Sequence, residues 1–229
     1  MSKTEWRKHG IGLLGGTFNP IHNGHLYIAA QTRLQLGLSQ VLFIPSGDPP
    51  HRQDMQLSAQ IRYEMVKLAL HNHPDFVPCD IEVKRPGRSY TIDTVQTLKQ
   101  RFQGGALVFI IGTDAFRDFD QWRYAEQLLT LCHFAIVPRS GHPFSSCPGF
   151  GPLAGIDRRR LQQLDDGATA PYCYAVDSNM QLHFLPMSMR PISASQIRQD
   201  IIAQAPEIAS LPQSVLSTIL ARRLYRERD

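Results

Sequence analysis

Two histidines, His22 and His25, flank Asn23-Gly24 at the end of the stretch Gly15-Gly16-Thr17-Phe18-Asn19-Pro20-Ile21. Imidazoles three positions apart share one face of a helical turn. Gly24 has no Cβ, so a ligand can come close to the backbone there. An apolar run (11–14) precedes the stretch and an amphipathic run (26–36) follows it. The pattern reads as strand, glycine-rich turn, helix. Such a turn aims backbone N–H groups and a helix N-terminus at one spot, where an anion can sit. Phosphate chemistry is the natural use. A histidine pair on a helix is also common as plain surface or core, and it is the surrounding context that sets this one apart.

A second cluster lies late in the chain, at Ile192-Ser193-Ala194-Ser195-Gln196-Ile197-Arg198. Ser195 is expected to cap a helix whose first N–H groups accept phosphate, with Arg198 one turn on and on the same face. A guanidinium fork suits phosphate oxygens. The plainer alternative is a capped helix with a solvated arginine. Three further elements are Pro49-Pro50-His51-Arg52, Ser89-Tyr90-Thr91-Ile92-Asp93-Thr94, and Ile111-Gly112-Thr113-Asp114 with Trp122 soon after. Each has a structural alternative: a solvated turn at His51 and Arg52, a helix cap at Thr91 or Asp114, a core tryptophan at Trp122.

The elements that must position these residues alternate between strand and helix. Strands are expected at 11–14, 41–44, 106–111, 134–137 and 182–185, with 76–83 extended. Helices are expected at 24–36, after a Ser58 cap with Ile61, Met65, Leu68 and Ala69 on one side, and from Thr91 with Ile92, Val95, Leu98 and Phe102 inward. Others are expected at 124–131, 156–164, 195–203 and 215–225. This order predicts an α/β fold: a doubly wound parallel sheet with helices on both faces and closing C-terminal helices. Ligands of such sheets bind at the carboxyl ends of the strands. Residues 1–229 are expected to form one domain, with 140–189 a Gly/Pro-rich excursion within it.

Composition excludes several classes. The chain has 229 residues, 42% hydrophobic and 19% charged, ordinary for a globular domain. No apolar run is long enough to span a bilayer, and the polar start lacks the apolar core of a signal peptide. A cytoplasmic protein is expected, with no membrane partner. Its four cysteines form no Cys-x-x-Cys pair, and the histidines have no metal-site spacing, so no metal site is expected. The net charge of +4 owes much to arginines near the C-terminus, read as a solvated helix end and not as a nucleic-acid surface. Gly10-x-Gly12-x-x-Gly15 has the form of a dinucleotide fingerprint, but Leu13-Leu14 inside it are themselves the strand. No Gly-Lys-Ser/Thr occurs, which excludes a P-loop.

The His22-x-Gly24-His25 and Ile192-Ser193-x-Ser195-x-x-Arg198 elements resemble the nucleotidylyltransferase superfamily with the (T/H)-x-G-H motif, related to class I aminoacyl-tRNA synthetases. With the other elements in this order, the chain is similar to the bacterial nicotinate-mononucleotide adenylyltransferases over nearly its whole length, least so at 140–189. The resemblance implies a Rossmann-like fold. It also implies an adenylyltransferase that joins nicotinate mononucleotide and ATP into nicotinate adenine dinucleotide (deamido-NAD) and pyrophosphate, in NAD biosynthesis. His22, His25 and Arg198 would be catalytic. Gly15, Gly16, Thr17, Phe18, Gly24, Ile192, Ser193 and Ser195 would bind ATP, and Mg2+ would arrive on its phosphates. Tyr90, Thr91, Asp114, Trp122, His51, Arg52 and Arg139 would bind the mononucleotide. Three positions depart from the family pattern: Asn19 stands where Asp is usual, Arg52 where Lys is commoner, and Ser140 where Pro is frequent. Two alternatives remain open. One is another superfamily member, such as a phosphopantetheine adenylyltransferase or a cytidylyltransferase, which lacks the Ser89–Thr94 and Trp122 pattern. The other is an RNA-binding module that kept the fold.

Overall fold

The computed structural model describes residues 10–48, 57–177, 179–188, 191–205 and 208–225. Among them the strands are β1 (Ile11–Gly16), β2 (Gln40–Pro45), β3 (Phe76–Pro78), β4 (Leu107–Gly112), β5 (His133–Val137), β6 (Tyr172–Ala175) and β7 (Gln181–Phe184). They form one sheet in the order β3-β2-β1-β4-β5-β7-β6. The helices are α1 (Asn23–Leu36), α2 (Ala59–Leu70), α3 (Thr91–Arg101), α4 (Thr113–Arg117), α5 (Ala125–Leu131), α6 (Arg158–Asp165), α7 (Ala194–Ile202) and α8 (Gln213–Ala221). The α/β fold with a mostly parallel sheet is the one the residue pattern predicts.

Compact packing divides the chain into two units: residues 1–14, 29–41 and 90–189, and residues 15–28, 42–89 and 190–229. In the first unit, β4 is apolar throughout and buried, as a central parallel strand is. It pairs in parallel with β1 (Ile11 opposite Leu107) and with β5 (Phe109 opposite Phe134). Phe119 packs edge-on to Phe134 at 5.2 Å and stacks with Phe116 at 5.2 Å. β5 continues in parallel to β7, and β6 closes this edge antiparallel to β7. The sequence reading has no strand at β6. It is only four residues long, alternately half-buried and exposed, and is held by the Tyr172 ring stacked on Phe184 at 5.5 Å. The rest of the 140–189 excursion is tied down by capping. Asp157 accepts from Arg159 N and Arg160 N at the start of α6, and the Asp165 carboxylate accepts from Phe144 N and Ser145 N.

In the second unit, Ser58 caps α2 by accepting from Ile61 N at 3.3 Å, as expected. The buried face of α2 differs from expectation. It is Arg62, Met65, Val66, Ala69 and Leu70, while Leu68 is exposed. An arginine heads the inward stripe, so the apolar residues alone misplace the face. The stretch after β3 is turn, not strand, closed by Lys84 N donating to Asp80 O. α8 is bound to α2 by Ser214 Oγ donating to Leu68 O and by an Arg222–Glu64 ion pair at 2.7 Å. α3, in the first unit, begins one residue after Tyr90, and Phe102 is its half-exposed C-cap instead of a core residue.

Candidate active site

In the second unit β1 ends at Gly16 and the chain turns through Thr17 to Asn23, where α1 begins. A Cβ on Gly16 would press on the Phe18 ring at 3.2 Å, so that ring needs the glycine beneath it. Phe18 itself has left-handed backbone (φ 49°) and a buried ring, set against Phe43 and the edge of His25. Strained backbone of this kind persists where surroundings over-determine it. The Asn19–Pro20 peptide is cis.

His22 is buried, and its ring stacks on His25 with centroids 3.7 Å apart. The His22 backbone N–H donates to His25 Nδ1 at 3.2 Å. That bond fixes a tautomer: with Nδ1 accepting, a neutral His25 carries its proton on Nε2. A Cβ at Gly24 would lie 3.0 Å from the His22 ring and 3.6 Å from Ile192 Cβ. The start of the late serine–arginine stretch therefore sits on the histidine turn. Arg198 completes the meeting, donating from Nη1 to the Asn19 carbonyl at 2.9 Å and from Nη2 to Ser195 Oγ at 3.1 Å. The structure thus sets the late serine–arginine stretch against the histidine turn.

One expectation about that stretch is corrected. Ser193, not Ser195, caps α7, with Oγ accepting from Gln196 N. Ser195 lies inside the first turn, three residues before Arg198, where its hydroxyl can reach the guanidinium.

Arg62 is a residue that the sequence analysis does not select. Its side chain is 0% exposed. It donates to four backbone carbonyls: Thr17 O and Ser46 O at 2.6 Å, Gly47 O at 3.2 Å and Leu57 O at 3.3 Å. Burial lowers its pKa, while Tyr225 and Glu82 act to raise it. The carbonyl dipoles solvate the buried guanidinium and join the turn after β1 to the loop after β2. Ser46 N also donates to Gly16 O, and Gly47 N to Ser89 Oγ. A side chain at Gly47 would collide with the Glu82 carbonyl. The signal for Arg62 was its register with Met65, Val66 and Ala69. His51 and Arg52 lie outside the described residues.

The remaining candidates belong to the first unit. Asp114 and Arg139 follow the adjacent parallel strands β4 and β5 and form an ion pair, Nε to Oδ2, at 3.4 Å. Both are about two-fifths exposed, at 40% and 39%. Buried Thr113 supports them: its Oγ1 donates to His142 O at 2.6 Å and accepts from Arg139 N at 3.0 Å. A side chain at Gly112 would collide with the Asp114 carboxylate. Trp122 is half-buried on Phe109 and Phe119, with ring centroids at 6.0 and 5.5 Å. The next residue, Arg123, lies over the Tyr90 ring at 4.6 Å, which joins the Trp122 segment to the start of α3. Tyr90 is the N-cap of α3 and makes no side-chain cap bond, while Thr91 is the first helical residue and not the cap. A cavity of ≈ 670 Å³ lies beside Arg139, lined also by His142, Phe144, Asp165, Thr169 and Met187.

Cys132 and Cys147 are free, buried thiols. Burial pushes the pKa of both up to about 12, which keeps them unreactive. Among the described residues no three His, Cys, Asp or Glu side chains cluster to hold a metal ion, and no helix is long and apolar enough to cross a membrane.

Comparison with known proteins adds to this geometry. The family model described as cytidylyltransferase-like matches residues 13–200. A probable nicotinate-nucleotide adenylyltransferase of Coxiella burnetii is 36% identical over 220 residues, covering 95% of this chain and 98% of the relative. One from a Synechococcus strain is 48% identical over 218 residues, covering 94% and 96%. Among solved structures, Plasmodium falciparum nicotinic acid mononucleotide adenylyltransferase complexed with NaAD superposes with a TM-score of 0.67. It has 18% identity and covers 95% of this chain and 97% of that one.

Proposed function

The chain belongs to the nicotinate-nucleotide adenylyltransferases of the cytidylyltransferase-like family, and from that premise we propose how its residues carry out adenylyl transfer. The enzyme joins nicotinate mononucleotide and ATP into nicotinate adenine dinucleotide and pyrophosphate, a step of NAD biosynthesis. An oxygen of the mononucleotide phosphate attacks the α-phosphorus of Mg-ATP in line. One P–O bond forms there as the bond to the β-phosphate oxygen breaks, and pyrophosphate departs. The attacking phosphate is already anionic, so no covalent enzyme intermediate and no strong base are needed. The protein supplies position and charge stabilisation.

The observation that carries this reading is the Arg198 bond to the Asn19 carbonyl, on the same turn as the stacked His22 and His25 rings. His22, His25 and Arg198 then offer N–H donors where negative charge grows on the α-phosphate and the leaving group. Gly15, Gly16, Thr17, Phe18 and Gly24 contribute backbone, with the Thr17 hydroxyl, to the triphosphate. Ile192, Ser193 and Ser195 line its other side. Magnesium comes bound to ATP as part of the substrate. Trp122 offers an indole face to the pyridinium ring. The α3 N-terminus at Tyr90-Thr91, lacking a side-chain cap, offers N–H donors to the carboxylate. Asp114 and Arg139, with His51 and Arg52, serve the ribose and phosphate of the mononucleotide. Acting on ATP, the enzyme would work in the cytoplasm, and no nucleic acid or membrane enters the reaction.

The test is incubation with magnesium, ATP or CTP, and nicotinate mononucleotide, nicotinamide mononucleotide or phosphopantetheine, with product mass and pyrophosphate measured. Nicotinate adenine dinucleotide and pyrophosphate in equal amounts are expected. A preference for phosphopantetheine or a cytidine nucleotide would overturn the reading.

A further inference from the structure

We propose that Tyr225 is a positioning residue for adenylyl transfer, its hydroxyl holding Asn19 so that the Asn19 carbonyl aims Arg198. The inference rests on the reading of Arg198 as a donor to the triphosphate. Tyr225 donates from its hydroxyl to Asn19 Oδ1 at 2.7 Å. Both partners are sealed from water, Tyr225 being 6% exposed and Asn19 7%. A buried polar pair of this kind is costly to break, because each group loses the hydrogen bond that offsets its desolvation.

The other end of Asn19 does the aiming. Its backbone oxygen accepts Arg198 Nη1 at 2.9 Å while Ser195 Oγ accepts Nη2 at 3.1 Å. A guanidinium is planar, so two committed donors fix the plane and the direction of those that remain. Asn19 is therefore clamped at its side chain by Tyr225 and coupled at its backbone to Arg198. The tyrosine adopts left-handed backbone (φ 66°), an unfavourable state for a bulky residue that needs its side chain held. Its hydroxyl lies within electrostatic reach of both Arg198 and Arg62, and burial pushes its acidity down, so it remains a neutral donor. Asn19 contributes an amide oxygen to this contact, an acceptor that places no negative charge beside Arg198.

The experiment compares Tyr225→Phe, Asn19→Leu, Asn19→Asp and the Tyr225→Phe/Asn19→Leu double variant, each with melting temperature, kcat and both KM values. Tyr225→Phe should lower kcat about tenfold, on the scale of one lost hydrogen bond to an oriented group. The melting temperature should fall by a few degrees, because the buried Asn19 oxygen loses its donor, while KM for the mononucleotide should hardly move. Asn19→Leu should do the same, the double variant should be no slower than either single one, and Asn19→Asp should keep most turnover. Wild-type kcat in Tyr225→Phe, or losses that multiply in the double variant, would overturn the proposal. So would a fall in melting temperature with kcat unchanged. Arg198→Ala separates the premise from the inference. Full turnover in that variant removes Arg198 from the triphosphate, and the role of Tyr225 goes with it. Loss of turnover in Arg198→Ala beside normal turnover in Tyr225→Phe leaves the premise standing and rejects the tyrosine alone.

Discussion

The phosphate turn of the second unit and the strand ends of the first are built from different kinds of bond. Around the turn, polar groups that are buried or half-buried make direct hydrogen bonds: Arg62 to four carbonyls, half-buried Arg198 to the Asn19 carbonyl, Tyr225 to the Asn19 side chain. At the ends of β4 and β5, Asp114 and Arg139 pair at the surface, and Trp122 is only half-buried. Burial fixes geometry to a fraction of an ångström, which stabilising charge on a reacting phosphorus requires. A half-exposed, loosely paired surface suits recognition of a substrate that must enter and leave. Substitutions in the first region should therefore strike rate and stability, and those in the second should strike affinity for one substrate.

The sharpest trial of that contrast is His25→Ala. It should lower kcat by about 10²–10³ with the fold intact, on the scale of losing one donor to developing charge. Near-normal turnover would end the assignment. Next is Arg62→Met, which removes the donors of four carbonyls, one buried and three half-buried. It should cost about 3 kcal/mol in urea unfolding, and Arg62→Lys should recover part of that. A cost below about 1 kcal/mol would show that the carbonyls find other partners.

The first unit should dominate acid sensitivity. Burial lowers the pKa of His133 to about 4, and its Nδ1 accepts from Gln181 N. The folded value lies below the ordinary value of 6.5, so the unfolded chain binds the proton first. Stability is then whole above pH ~6.5 and declines as pH falls toward 4, by up to about 1.4 kcal/mol per pH unit. Urea unfolding at pH 7 and pH 5 checks this, and His133→Asn should flatten the decline.

Affinity effects should be smaller. Trp122→Ala should raise KM for nicotinate mononucleotide about three- to tenfold, the worth of one aromatic contact, with KM for ATP unchanged. An equal rise in both would blur the division between the regions. Least of all, Arg139→Gln should change stability by less than about 1 kcal/mol, since exposed ion pairs contribute little.

Legibility in the sequence follows the same division between local and distant. The histidine turn was readable because its chemistry lies in eleven consecutive residues, and β4 because a run of buried apolar residues needs no partner to be recognised. What was hidden depends on groups far apart in the chain. Arg62 goes unselected because nothing near it in sequence shows that Thr17 and Ser46 carbonyls await it. Ser193 and Ser195 are equally good caps by type, and only the path of the backbone chooses between them. β6, only four residues long, is too short to signal itself without Phe184 beneath Tyr172.

The bond between Tyr225 and Asn19 spans 206 positions, and that between Arg198 and Asn19 spans 179. Closing such separations is slow, because the chain entropy is lost before the contact forms. During synthesis the histidine turn leaves the ribosome long before the residues that brace it. A growing polypeptide would thus carry both imidazoles while still unable to hold a triphosphate in register, and catalytic competence would arrive among the last events of maturation.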